Sequence, residues 1–333
     1  MGELILAAPV AGLTAKNSIQ SEDVRMLRGE VFGDGVVTKA EAEALFALDA
    51  SCQDKCAEWP VFFCEAIADF IVHQEKPAGY ISEENAAWLV RSISRDGMVD
   101  TVTELELLIK ALEVAKSAPE SLSAYALEQV AHAVVDGKGP LLDGRELQQG
   151  VVGRAETDLI RRILYSAAGE GNIAISRSEA EVLFRINDST IESANDPAWT
   201  ELFVKALANS LMCASGYAPP PRDVALRQEA FMDNTQANVG GFFGKMFADG
   251  LRGVLSAYQQ DRSVEEAWAE RNSRQVAAGA SAEAIDESEA KWLAERIGRD
   301  GVLHENEKAL LDFIKRESPS IHPDLQPLLD RVA

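Results

Sequence analysis

Acidic residues placed one step before a glycine recur along this chain, in Gly33-Asp34-Gly35, Arg95-Asp96-Gly97 and Arg299-Asp300-Gly301. Weaker forms lie at Asp136 to Glu146 and Glu170 to Glu179. Two kinds of chemistry use such a turn. One is a cation loop, in which closely spaced oxygens surround a hard ion. The other is architectural: the glycine takes the positive φ that ends one helix, and the next acid caps the helix that follows.

An EF-hand calcium loop needs oxygens at positions one, three, five, nine and twelve, with glycine at six. With Gly35 at six, the other positions fall on Glu30, Phe32, Asp34, Thr38 and Glu41, and the aromatic removes a ligand. With Gly97 at six they fall on Ser92, Ser94, Asp96, Asp100 and Thr103; the final acid is missing, although Glu104 is next door. With Gly301 at six, Arg296 opens the loop, followed by Gly298, Asp300, His304 and Glu307. The candidate ligands are therefore Asp34, Glu41, Asp96, Asp100, Asp300 and Glu307. Two or three of them around one ion make a weak calcium site. Positions nine and twelve coincide with N-cap and N3, so Thr38 and Glu41 read equally well as a capping box. Ser176/Glu179, Asp143/Glu146 and Asp286/Glu289 read the same way.

Helices must hold these turns. Ala44, Leu45 and Leu48 form one apolar stripe, and Phe62, Phe63, Ala66, Ile67, Phe70 and Ile71 form another. Trp88, Leu89 and Ile93 form a third, followed by Leu105, Leu108, Ile109 and Leu112. Their spacing predicts helices that bury one face. No long stretch alternates with period two. The expectation is an all-α protein with one- or two-residue β contacts between loops.

The chain reads as internally duplicated. Glu43-Ala44-Leu45-Phe46 matches Glu181-Val182-Leu183-Phe184, and Trp59, Phe63, Ala66 and Ala68 match Trp199, Phe203, Ala206 and Ala208. Trp88-Leu89 and Arg95-Asp96-Gly97 then match Trp292-Leu293 and Arg299-Asp300-Gly301 at a larger interval, as a later insertion would leave. Ile19, Ile81 and Ile285 each precede a turn glycine by 16 residues. The predicted organisation is a first helical repeat over 1–118, a bridging helix-loop-helix over 119–150, and a second repeat over 151–333. The second repeat carries an insertion at about 214–281, opened by Pro219-Pro220-Pro221. Its glycines predict more mobility than in the flanks. Phe242, Phe243, Met246 and Phe247 within it are candidate partner-binding residues.

Asp-Gly, a spacer, a capping acid and an amphipathic helix, repeated in a helical chain, resemble the tellurite-resistance TerB family. Glu307 to Leu311 after Asp300-Gly301, and Gly33 to Leu48, carry the resemblance. It implies a non-enzymatic helical protein tied to metal or envelope stress, with Asp34, Glu41, Asp300 and Glu307 as ion ligands. The duplication and the Phe-rich insertion fall outside that family's pattern.

Composition narrows the classes. The 333 residues are 47% hydrophobic, enough for a substantial core. A net charge of −22 argues against nucleic acid and anionic membrane surfaces as partners, and suits basic proteins or cations. Cys52, Cys56, Cys64 and Cys213 are too few for a disulfide framework. Cys52 and Cys56 could share a helix face, but no histidine lies near enough to complete a zinc pattern, and free thiols are expected. The start, Met1 to Pro9, lacks a basic leader region, and no stretch has the length of a membrane span; a cytoplasmic location is the expectation.

His73, His132, His304 and His322 are scattered, and no nucleophile elbow, zinc-protease helix or phosphate loop is present. The reading is a non-enzymatic interaction scaffold without a cofactor, modulated at most by weak binding of a divalent cation such as calcium. Its protein partner engages the 214–281 segment or a helical groove. A genuine calcium sensor with unusual loops is the first alternative, and a carboxylate-dependent hydrolase the second.

Overall fold

A computed structural model describes residues 3–74, 76–94, 97–142, 149–167, 175–212, 222–233 and 284–332. It is predominantly helical. The first part runs α1 (Glu3–Lys16), α2 (Ser21–Val31), α3 (Lys39–Ser51), α4 (Trp59–Asp69), α5 (Glu83–Ile93) and α6 (Val102–Val114). The second runs α7 (Glu120–Ala131), α8 (Arg154–Ala167), α9 (Arg177–Ser189), α10 (Pro197–Met212), α11 (Arg222–Asp233), α12 (Glu287–Arg296) and α13 (Glu305–Glu317). A short α14 (Gln326–Leu329) follows. Among the described residues the only sheet is a two-residue parallel pair, Ser18–Ile19 (β1) with Asp54–Lys55 (β2). No helix among them is long and apolar enough to cross a membrane.

Capping residues set where the helices begin. Thr38 Oγ1 accepts from the Glu41 N–H at 3.3 Å, and Glu41 accepts from the Thr38 N–H at 2.8 Å. Ser176/Glu179 and Asp286/Glu289 form the expected reciprocal boxes. The sequence reading missed a further box, Thr101/Glu104, at the start of α6. The turn after Gly97 is one residue longer than those after Gly35 and Gly301, so Asp100 precedes the cap instead of forming it. Gly35, Gly97 and Gly301 all have positive φ, between 76° and 95°, which a side chain would strain.

The buried aliphatics preceding the helix pairs close them at the base. The Cys56 N–H donates to Ile19 O at 2.9 Å, and the Ile81 N–H to Ser117 O at 2.9 Å. The Asp196 N–H donates to Val152 O at 2.8 Å, and the His322 N–H to Ile285 O at 3.0 Å. In each case the residue before the first helix is tied to the segment after the second. Ile19, Ile81, Val152 and Ile285 are all buried, so each tie exchanges solvated backbone for a protected bond.

Two aromatic clusters anchor the core. Phe46 meets Phe63 edge-on at 5.1 Å between centroids, and Trp88 at 5.8 Å. Phe184 meets Phe203 edge-on at 5.5 Å, and Trp292 at 5.7 Å. Trp59 and Trp199 are fully buried, each 5.8 Å from its neighbouring Phe63 or Phe203 ring. Edge-to-face pairs of this kind add about 0.5–1.5 kcal/mol beyond burial. Around them, α4 packs on α6 and α10 on α13; α1 packs on α2 and α3, and α7 on α8 and α9. Helices α7 and α8 also cover α6, joining the two parts into one hydrophobic core. Helix α11 follows Pro219-Pro220-Pro221 in the sequence, and the Arg222 guanidinium donates to Lys76 O at 2.9 Å.

Candidate functional site

The acidic turns put their carboxylates on the backbone. Asp34 Oδ1 accepts from the Val36 N–H at 3.1 Å, and Asp300 Oδ1 from the Val302 N–H at 2.9 Å. Both are side-chain turns that brace the residue after the glycine. Glu41 is buried, and its Oε2 accepts from both the amide and the hydroxyl of Thr38. Glu307 is buried as well; its Oε1 accepts from the Gly298 N–H at 2.9 Å and its Oε2 from the His304 N–H at 2.8 Å. Asp300 Oδ2 lies 2.8 Å from His304 Nε2, and the imidazole beside it holds the Asp300 carboxyl below its usual range. Asp100 is exposed. Asp96 lies outside the described residues, as do Cys213 and the partner-binding candidates Phe242, Phe243, Met246 and Phe247.

Of these carboxylates only Glu307 accepts two backbone amides, and turning it away from them would leave both unmade at about 1–3 kcal/mol each. Among the described residues, no group of three or more His, Cys, Asp or Glu side chains is placed to hold a metal. Beside the Gly301 turn lies a cavity of about 280 Å³ whose lining brings together the candidate ligands Asp300 and Glu307 with Asp188, His304, Arg296 and Arg299. Two guanidiniums there oppose a cation, although Arg296 is ion-paired with Glu181. Burial raises the Asp188 carboxyl above its ordinary value, against the pull of Asn187 and the two arginines.

The thiols are dispersed too. The Cys52 S–H donates to Leu13 O at 3.6 Å, and the Cys64 S–H to Thr103 O at 3.5 Å. Cys52 is buried and Cys56 half-buried, and neither belongs to a metal-capable cluster among the described residues.

Sequence reasoning missed a larger feature than this cavity. Between α4 and α6 a groove of about 650 Å³ opens on a floor of Pro60, Val61, Cys64, Val102 and Thr103. Val61 is 66% exposed and Val102 42% exposed, which is unusual for a protein that buries most of its other aliphatics. The rim is charged. Glu65 pairs with Arg28, whose guanidinium also lies over the Phe62 ring. Arg162 of α8 reaches across to Glu106 at 2.9 Å and Glu113 at 2.7 Å. Lys110 is exposed and has no hydrogen bond or ion pair among the described residues. Burial, followed by Glu106 and Asp49, pushes the Cys64 thiol up to about 12, with Lys110 opposing. The floor is therefore uncharged at neutral pH. One signal was available in the sequence: Val61 falls off the Phe62/Phe63/Ala66/Ile67 stripe, on the face where α4 should be polar.

No family model matches the chain, and no curated protein or solved structure matches it.

Proposed function

We propose that this protein is a non-enzymatic helical scaffold that works by presenting helical surface to a binding partner. It consists of two related halves of TerB-like or EF-hand-like helix-turn-helix units, and its acidic turns serve architecture. The observation that carries this reading is the fate of the N3 glutamates. Glu41, Glu104, Glu179 and Glu307 each accept a backbone amide at the start of their own helix, from Thr38, Thr101, Ser176 and His304. At Glu41 and Glu307 this is the acid that a cation loop would place last, and here it is engaged in capping. The kinship of the halves is supported by the near-equal ring geometries of Phe46/Phe63/Trp88 and Phe184/Phe203/Trp292. It is supported too by the matching base ties at Ile19, Ile81, Val152 and Ile285.

Calorimetric titration with calcium, carried to millimolar concentration, tests the reading. No saturable heat and no rise in melting temperature are expected, since a ligand bound only by the native state must stabilise it. A saturable micromolar site would replace the scaffold with a calcium sensor.

A further inference from the structure

We propose that the α4–α6 groove binds a small amphipathic acid, its apolar body lying on Val61, Val102 and Cys64 and its anionic head on Lys110. The site stands whether or not the turns hold ions. At about 650 Å³ the groove falls within the roughly 300–1,000 Å³ range of small-molecule pockets, and like them it is mainly apolar with few polar groups. Arg162, held by Glu106 and Glu113, walls one side, so the space is closer to a bowl than to a long trough for a helix.

The second part of the molecule shows that this architecture does not demand an apolar groove. Helices α10 and α13 pack side by side as α4 and α6 do. There Thr200 Oγ1 donates to Asn306 Oδ1 at 2.6 Å, and Asn306 Nδ2 donates to Asn187 Oδ1 at 2.7 Å. Glu201 stands two residues after Trp199, as Val61 stands two after Trp59, and it is paired with Lys205. Polar residues are therefore compatible with that helix face, and the exposed valines of the α4–α6 groove are a local departure from it.

Charge decides the head group. Glu65, Glu106 and Arg162 already have ionic partners, and Lys110 has none among the described residues. A carboxylate on the ligand completes that pairing, whereas an ammonium would have to compete with Arg162 or Arg28. The net charge of −22 opposes an anion at long range, but charges beyond about 8 Å are screened at physiological salt, so the close contact to Lys110 dominates.

The test is calorimetry of the full chain with dodecanoate and, in parallel, dodecylamine, both below the concentrations at which they form micelles. Dodecanoate should bind saturably at one site and dodecylamine should not. Val61→Glu, at an exposed position that does not threaten folding, should abolish the binding. Lys110→Ala should weaken it about tenfold, as loss of one charge-assisted hydrogen bond does, and Lys110→Arg should retain it. Lys205→Ala on α10 should leave it unchanged. Absence of saturable dodecanoate binding would overturn the proposal, as would equal binding of the amine. So would unchanged affinity in both Val61→Glu and Lys110→Ala.

Discussion

Helices α6 and α13 start alike and end up in different surroundings. Each follows an acid-glycine turn, and each has a glutamate at N3, Glu104 or Glu307, bonded to the cap amide. Leu107, Leu108 and Ala111 of α6 are buried, as are Leu310, Leu311 and Ile314 of α13 in the same register. The other face differs. Leu105, Ile109 and Leu112 are buried on α6, where α13 carries Lys308, Asp312 and Lys315, all exposed. Helix α6 is covered by α7 and α8, whereas among the described residues α13 packs mainly on α10 and the C-terminal turns, with Leu325 and Leu329 buried there. One local motif thus serves two ends. An apolar second face takes further helices onto α6, and a charged one leaves that side of α13 in solvent.

Exchanging these faces has the largest expected effect. Ile109→Asp places an unpaired carboxylate in the α6–α8 interior and should cost about 4 kcal/mol or more, enough to threaten folding. The reciprocal Asp312→Ile should change stability by no more than about 0.5 kcal/mol while promoting self-association. Equilibrium denaturation and sedimentation measure the two outcomes. Equal destabilisation by both substitutions would break the comparison.

The buried tryptophans give the next effect. The Trp59 Nε1–H donates to Asp49 Oδ1 at 2.6 Å, and Asp49 also accepts from Lys55. Trp199 Nε1 has no hydrogen-bond partner among the described residues. Trp59→Phe should therefore be more destabilising than Trp199→Phe by about 1.5–3 kcal/mol, the scale of a hydrogen bond to a charged group. Chemical denaturation of both variants measures the difference. Matching losses would show that an acceptor reaches Trp199 after all.

The smallest effect concerns the caps. Burial raises the Glu179 carboxyl above its ordinary value, against the Ser176 amide and hydroxyl. A raised acid binds its proton more tightly when folded, so this contribution favours folding at low pH and is lost as pH rises through the shifted value. Asp286 has the opposite sign. The Glu289 amide lowers its carboxyl, so its contribution is present above the unfolded value and lost as pH falls through the depressed one. Glu179→Gln should flatten a decline in stability above about pH 4, and Asp286→Asn should flatten a rise with pH that solvent already weakens. The Glu179 effect should be about 1 kcal/mol or less, as for a single cap. Melting temperatures across the acidic range read both slopes, and slopes of the same sign would contradict the assignment.

Much of the frame was legible in the chain. The boxes at Thr38/Glu41, Ser176/Glu179 and Asp286/Glu289 appeared where their spacing placed them, because a cap depends on contacts three residues apart. The apolar stripes became the buried faces of α3, α4, α5 and α6. The 16-residue register of Ile19, Ile81 and Ile285 was visible, but its purpose was not, since each tie joins residues about 36 positions apart. The candidate ligands were named without their directions. Only the folded chain brings Glu307 Oε1 onto the Gly298 amide. The groove was the least legible, because Val61, Val102 and Arg162 come from three helices and meet only after packing.

The linear order of residues determined where helices start, where they turn and which stripe each one buries, because these are set by neighbours within a turn or two. Tertiary packing decided which second faces are covered, where each acid spends its hydrogen bonds and which aliphatics stay in the open. Those outcomes depend on contacts between segments distant along the chain, whose relative placement no local spacing specifies.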